Sequence, residues 1–176
     1  MPQQQVNYRQ GYNLILGFVQ NEGTGNEAML ALGFSTGCKI SDSAEIGERI
    51  TKEPGGGNAR WKDKYVKTLS EQITAEGFVY DNATAKDHNL PRLKHLFLNA
   101  QPVTLQYQYR TENPDTQGLT PTDMSTFRGK FVITSLEQDG PADDDEKWNV
   151  TFENCGPVEA MQESMKPTYQ KEGDPA

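Results

Sequence analysis

The sequence is poor in most of what reactive sites are built from. Histidine occurs only as His88 and His95, seven residues apart and without the spacing of a zinc site. Cys38 and Cys155 have no Cys-x-x-Cys partner and are too few for a secreted disulfide framework, so each reads as a small packing residue. Positive charge is not in excess either. The 17 Lys+Arg stand against 25 Asp+Glu, so 17 − 25 gives a net charge of −8. The pI near 4.8 argues against a nucleic-acid binder, because neutralising phosphates takes clustered Lys and Arg. Long apolar runs are missing: the longest, Leu14 to Val19, contains Gly17 and falls far short of the ~20 residues that span a bilayer. No basic segment precedes it, so it makes a poor signal peptide and implies a soluble, intracellularly made chain with no membrane partner.

Catalytic motifs are absent as well. No Gly-x-Ser-x-Gly elbow occurs, and Gly55–Gly56–Gly57 lacks the Gly-Lys-Ser/Thr ending of a phosphate loop. The acidic run Asp143–Asp144–Asp145–Glu146 lacks the alternation and the glycine of a calcium loop, and reads as a solvated hairpin tip. No nucleophile, base and orienting group can be assembled. The expectation is therefore no catalytic residues, no metal and no cofactor.

What the chain does have is alternation. Hydrophobic residues make up 34%, with 16 Gly and 10 Pro, which favours short strands and turns over a helical bundle. Val103, Leu105, Tyr107 and Tyr109 alternate with Thr104, Gln106, Gln108 and Arg110, the pattern of a half-buried strand. Trp148, Val150 and Phe152 alternate likewise, and Phe127, Phe131 and Ile133 share a face opposite Arg128 and Lys130. Leu69, Ile73, Ala75 and Val79 form one face of a longer segment whose other face is Thr68, Ser70, Gln72, Thr74 and Glu76. Leu30, Leu32 and Phe34 alternate earlier, as do Ala44, Ile46 and Ile50. Gly23–Gly25, Pro54–Gly57, Asn113–Pro114, Gly140–Pro141 and Gly156–Pro157 punctuate the strands.

One segment departs from period two. Leu90, Leu93, Leu96 and Phe97 follow helical spacing, Asn89 stands at an N-cap position and Pro91 falls in the first turn. A short amphipathic helix over about 90–99 should cover a sheet structure. The predicted fold is mainly β: an antiparallel sandwich or barrel with one covering helix, as a single domain over 1–176. Its core runs over about 11–158, with residues 1–10 and 159–176 as terminal arms. The expected core residues are Leu32, Phe34, Leu69, Ile73, Leu93, Phe97, Leu105, Tyr107, Phe131, Ile133, Trp148, Val150 and Phe152. Residues 51–64 form a charged, glycine-rich excursion. It reads either as a mobile loop or as an interaction arm with Arg60 and Trp61 as anchors and Lys52, Lys62 and Lys64 beside them, since Trp and Arg are enriched at binding hot spots.

Asn-Leu-Ile-Leu-Gly-Phe-Val over 13–19, Leu-Gly-Phe-Ser-Thr-Gly-Cys-Lys-Ile-Ser over 32–41 and Ile-Thr-Lys-Glu over 50–53 resemble the major tail tube proteins of long-tailed bacteriophages. Arg-Trp-Lys-Asp-Lys-Tyr-Val-Lys-Thr-Leu-Ser over 60–70, running into Ile-Thr-Ala-Glu-Gly-Phe-Val over 73–79, carries the same resemblance, which covers most of 11–155. It implies a β-sandwich protomer that closes into homo-hexameric rings with a continuous inner β-barrel. The rings would stack into the virion tail tube through which DNA leaves. Such a chain is made in the bacterial host cytoplasm and meets a tape-measure protein, a tail terminator and baseplate or distal tail proteins. Double-stranded DNA passes through without being specifically bound. The family is similar to the tube proteins of contractile tails and type VI secretion, which stand as the alternative machine.

The residues themselves suit this picture. The second faces of the long strands, Thr68, Ser70, Gln72, Thr74, Gln106 and Gln108, have the chemistry of a wet channel wall. Glu71 and Glu76 fall on opposite faces, so at most one belongs to that wall. A ring also satisfies sheet edges by pairing each with the next subunit, and an acidic bore repels phosphate. The rival reading is a carbohydrate- or peptide-binding sandwich using Tyr107, Tyr109, Trp61 and Trp148 as a stacking platform. It is weakened by the core-facing pattern of both tyrosines.

Overall fold

The computed structural model describes residues 14–32, 35–50, 62–79, 90–112, 119–161 and 167–168. Their order is β1 (Leu14–Gln20), β2 (Ala28–Ala31), β3 (Ser35–Ile50), β4 (Lys62–Phe78), α1 (Leu90–Leu98), β5 (Val103–Glu112), β6 (Leu119–Asp139), β7 (Lys147–Met161) and β8 (Pro167–Thr168). The strands form one hydrogen-bonded sheet in the order β3-β4-β7-β6-β5-β1-β2-β8. Every pairing is antiparallel except β2 with β8.

The sheet does not lie flat. Neighbouring strands stand about 4.8 Å apart, so β7 and β1, three places apart in the order, would be separated by roughly 14 Å in a flat sheet. Yet the Phe18 and Phe152 rings meet edge-on with centroids 6.4 Å apart, and β1 also touches β3 at the far edge. The sheet therefore curls over its own apolar face, giving the mainly β, sandwich-like class expected from the alternation. Inside the curl lie Leu16, Phe18, Leu30, Leu32, Ile73, Ala75, Leu105, Tyr107, Phe131, Ile133, Trp148, Val150 and Phe152. The indole N–H of Trp148 donates to the Phe78 carbonyl at 2.9 Å, which satisfies the polar end of a buried aromatic.

α1 closes the curl by laying Leu90, Leu93 and Leu96 into the core against β6. The Arg92 guanidinium lies 5.6 Å from the centroid of the Phe18 ring. The helix ends in a Schellman turn: Gln101 N–H bonds to Leu96 C=O and Ala100 N–H to Phe97 C=O, both at 3.1 Å. That turn puts Ala100 at φ 47°, left-handed backbone that costs any residue with a Cβ. The N-cap candidate Asn89 lies outside the described residues.

Two expected core positions are corrected. Leu69 lies on the same face as Ile73 but is 73% exposed, because β3 and β4 run on past the body of the sheet and no layer of the described residues packs over them there. Phe97 is 39% exposed, since the helix packs through the 90/93/96 stripe and Phe97 falls at its margin. Phe34 lies outside the described residues. Gly156–Pro157 does not end a strand either. β7 continues to Met161, and its pairing with β6 jumps from Phe131↔Asn154 to Gly129↔Val158. The side-chain amide of Asn154 donates to Gly156 C=O at 2.9 Å inside that irregularity, a place where proline's missing N–H is tolerated. Asp143, Asp144 and Asp145 are exposed in the turn between β6 and β7, where Lys147 holds Asp144 at 2.8 Å. Among the described residues no group of carboxylates, histidines or cysteines could hold a metal ion.

Candidate assembly surface

The feature that stands apart from the body is the β3–β4 hairpin. Pairing runs from Ser35↔Gly77 out to Ile50↔Lys62, while β7 covers β4 only from Gln72 to Phe78. The outer half is therefore a two-stranded ribbon. It includes Lys62–Lys64, so the excursion expected over 51–64 is shorter than the sequence suggests. Lys52, Arg60 and Trp61 lie outside the described residues.

The ribbon's two faces differ. A shift between Glu45 and Ile46 places Lys67 as the extra residue, which returns Val66 to the face of Leu69. That face carries Ala44 opposite Leu69, Ile46 opposite Val66 and Glu48 opposite Lys64. Ile46 and Val66 are about half exposed, at 49% and 53%. The core stripe thus continues outward with no layer of the described residues over it. Lys62 bonds to Glu48 at 2.8 Å and Lys64 approaches the same carboxylate at 3.9 Å. Exposed pairs of this kind contribute about 0–1 kcal/mol and can exchange partners readily. On the opposite face Tyr65 lies flat over Gly47, where a Cβ would stand 2.5 Å from the ring and would have to displace it. Arg49 completes the stack 5.8 Å from the Tyr65 ring centroid and bonds to Asp63 at 2.7 Å.

β3 is also the edge of the sheet, and its outer side has no strand partner among the described residues. A 16-residue edge leaves a row of backbone donors and acceptors open, which other strands can pair with.

The polar wall expected from the second faces separates into two parts. On β4, Thr68, Ser70 and Gln72 are exposed and Thr74 is half-buried. They meet polar partners across the sheet: Ser43 and Ser70 hydroxyls stand 2.7 Å apart, Thr68 bonds to Glu45 at 3.3 Å, and Gln72 to Glu153 at 3.2 Å. Glu76 belongs to this face, while Glu71 is turned to the core side. On β5 the expectation fails: Gln106 and Gln108 are fully buried, at 0% exposure. Arg128 lies across Gln106 with two bonds of 3.1 Å and is held from the other side by Glu27 at 2.8 Å, while Gln106 bonds on to Gln108 at 3.0 Å. Alternation tells that a strand has a second face. It does not tell that Arg128 of the neighbouring β6, held by Glu27 from the segment before β2, covers it.

At the root of the hairpin an open groove of about 990 Å³ lies between the ribbon and β5, β6 and β7. Leu69, Tyr107, Tyr109, Phe127, Pro157 and Val158 give it apolar walls, and the Tyr107 and Phe127 rings stack at 5.3 Å. Two carboxylates, Glu71 and Asp42, enter it. Glu71 is 7% exposed, accepts from the Tyr107 hydroxyl at 3.1 Å through Oε2, and has no hydrogen-bond partner at Oε1. Burial, reinforced by the Asp42 carboxylate, pushes the Glu71 carboxyl up to about 7 against the pull of the Tyr107 bond. Burial and Glu71 together hold the Tyr107 phenol above its ordinary range. Cys155 lines the groove and is exposed, whereas Cys38 packs half-buried against the core with its thiol pushed up to about 11. Sequence reasoning did not find this groove. Its signal was a carboxylate at position 71 within the apolar stripe Leu69, Ile73 and Ala75.

A family model described as phage tail tube protein matches residues 9–160. Among solved structures, the chain is similar to a subunit of the tail of an empty gene transfer agent particle reconstructed with C6 symmetry. Identity is 18%, TM-score 0.61, and the match covers 88% of this chain and 99% of that one. It is also similar to the SPP1 tail tube protein, at 11% identity, TM-score 0.52 and coverage of 89% and 81%. A third is a chain of the sheath–tube complex of an extracellular contractile injection system, at 16% identity, TM-score 0.52 and coverage of 88% and 93%. No curated protein matches the sequence.

Proposed function

Because the chain belongs to the phage tail tube protein family and is a structural subunit of a tail tube, we propose that its copies close into hexameric rings that stack around a bore for DNA ejection. One observation carries this reading: among the described residues the core stripe of the β3–β4 hairpin runs past the body uncovered, through Leu69, Val66 and Ile46, beside a 16-residue edge without a strand partner. Such a surface is an aggregation hazard in a monomer and an asset in a polymer. In the proposed ring the next subunit pairs with β3, and the head-to-tail rotation closes. The hairpin, with Lys62 and Lys64 near its outer end, reaches the adjacent ring.

The outer face of β3, β4 and β7 lines the bore in this reading. It supplies the hydroxyls and amides of Ser43, Thr68, Ser70, Gln72 and Thr74, with the carboxylates Glu45, Glu76 and Glu153 among them and two cations, Lys39 opposite Thr74 and Lys67 bonded to Glu45. Neutral polar groups hold no phosphate strongly, the carboxylates repel it, and Lys67 is held by Glu45, so double-stranded DNA slides through without being bound. The chain performs no catalytic step. It is made in the host cytoplasm, wraps a tape-measure protein during assembly, and ends at terminator and baseplate proteins in the virion. The likeness to a contractile sheath–tube chain favours the same wall design in a contractile or type VI-like machine as the second reading.

Concentrating the purified chain and imaging it by negative stain tests the proposal. Six-fold rings or tubes are expected, and a monomer at every concentration and salt would contradict it.

A further inference from the structure

The groove at the hairpin root combines three things that a finished surface does not show. It has apolar walls, with Leu69 73% exposed. It is continuous with the uncovered stripe through Val66 and Ile46. At its base, Glu71 is nine-tenths buried with Oε1 left without a donor. The ionised form leaves a buried carboxylate oxygen unpaired, which is costly, so the charged site is complete only when something brings a donor to it. Resting on the tube reading above, we propose that this groove is the seat of a second copy of the chain. That copy docks through a surface other than its own groove and places a cation or N–H donor on Glu71 Oε1.

The occupant follows from charge and from continuity. Two grooves cannot fill one another, because a symmetric contact would bring two Glu71 and two Asp42 carboxylates together. The partner surface is therefore a different face of the same protein, which is the geometry that propagates into rings and stacks. The chain has cations to offer away from the bore face: Lys94 and Lys130 are exposed and form no ion pair among the described residues. An occupant of the groove also covers Leu69 and shields the stripe beyond it. The groups facing Glu71 are Tyr107 from β5, Asp42 from β3 and Asn154 from β7, whose side-chain carbonyl accepts the Glu71 backbone N–H at 2.9 Å. None of these gives Oε1 a donor.

Cys155 is a built-in reporter, because it lines the groove and is exposed. In a Cys38→Ser chain it is the single thiol, and its reaction with a bulky maleimide is timed on dispersed monomer and on pelleted particles. Docking predicts a slowing of about tenfold or more in the particle, since access controls thiol reactivity. Equal rates would overturn the groove proposal while leaving the tube reading intact. Failure of the chain to form any particle would sink the tube reading itself, and the groove proposal with it. Leu69→Asp gives an independent arm: it adds a carboxylate at an exposed position, so the monomer's melting curve should be unchanged while sedimenting particles disappear. A Leu69→Asp chain that assembles like the parent would likewise overturn the proposal.

Discussion

Tyr107 ties the middle of β5 to the root of the projecting hairpin by donating its hydroxyl hydrogen to Glu71 Oε2 at 3.1 Å. Both partners are buried, and this is the polar contact that anchors the open end of the curl. Tyr107→Phe keeps the ring stacked on Phe127 but leaves both Glu71 oxygens without donors. Leaving a buried acceptor unsatisfied costs about 1–3 kcal/mol. Urea melts of dispersed monomer should show that loss with an unchanged m-value.

The same carboxyl sets a pH dependence. Glu71 titrates near 7 in the fold against 4.5 in the unfolded reference, so the folded state favours the protonated acid. Below about 4.5 both states carry the proton and the group adds nothing; between 4.5 and 7 the unfolded chain ionises first, and stability falls as pH rises. Monomer stability measured at pH 5 and at pH 8 should drop in the parent chain and drop less in Glu71→Gln. Equal slopes in the two chains would show that Glu71 is not held protonated.

Ala100 ends α1 in left-handed backbone at φ 47°, a conformation glycine adopts without steric cost. Ala100→Gly removes that strain and adds some unfolded-state entropy, for a net gain of about 0.5–1 kcal/mol. The melting temperature should rise by roughly 2–4 °C per kcal/mol for a chain of this size.

Phe131 and Leu69 lie on core-facing stripes of their strands, yet one is fully buried and the other 73% exposed. Phe131→Ala should cost the monomer about 3–5 kcal/mol, as large aromatic truncations in a core do. Leu69→Ala should leave the monomer's melt unchanged. Thermal scans of the two variants side by side check the contrast.

Those two residues also mark where the sequence stops being informative. Period-two alternation reveals which residues share a face, and it placed Leu105, Tyr107, Phe131, Ile133, Trp148, Val150 and Phe152 on core faces where the structure buries them. Helical spacing with Pro91 located α1 to within a residue of its end. Alternation says nothing of what stands opposite a face. Leu69 opens onto a groove rather than a packed layer of the described residues because the ribbon outruns the sheet, and Gln106 faces Arg128 rather than water because Glu27 holds that guanidinium in place. Both facts depend on residues far apart in the chain. Glu71 carried a signal that the alternation reading passed over: a carboxylate in an apolar stripe marks either an error of register or a built polar site. The structure makes it the second.

The central claim is that copies of this chain form a wall whose bore is the polar face of β4. A cryo-electron microscopy reconstruction of the assembled particle tests it most directly. The account predicts a six-fold tube with Thr68, Ser70, Gln72 and Thr74 pointing inward and an electronegative lumen. A tube with that face turned to the outside, or a lumen lined by lysine and arginine, would contradict it.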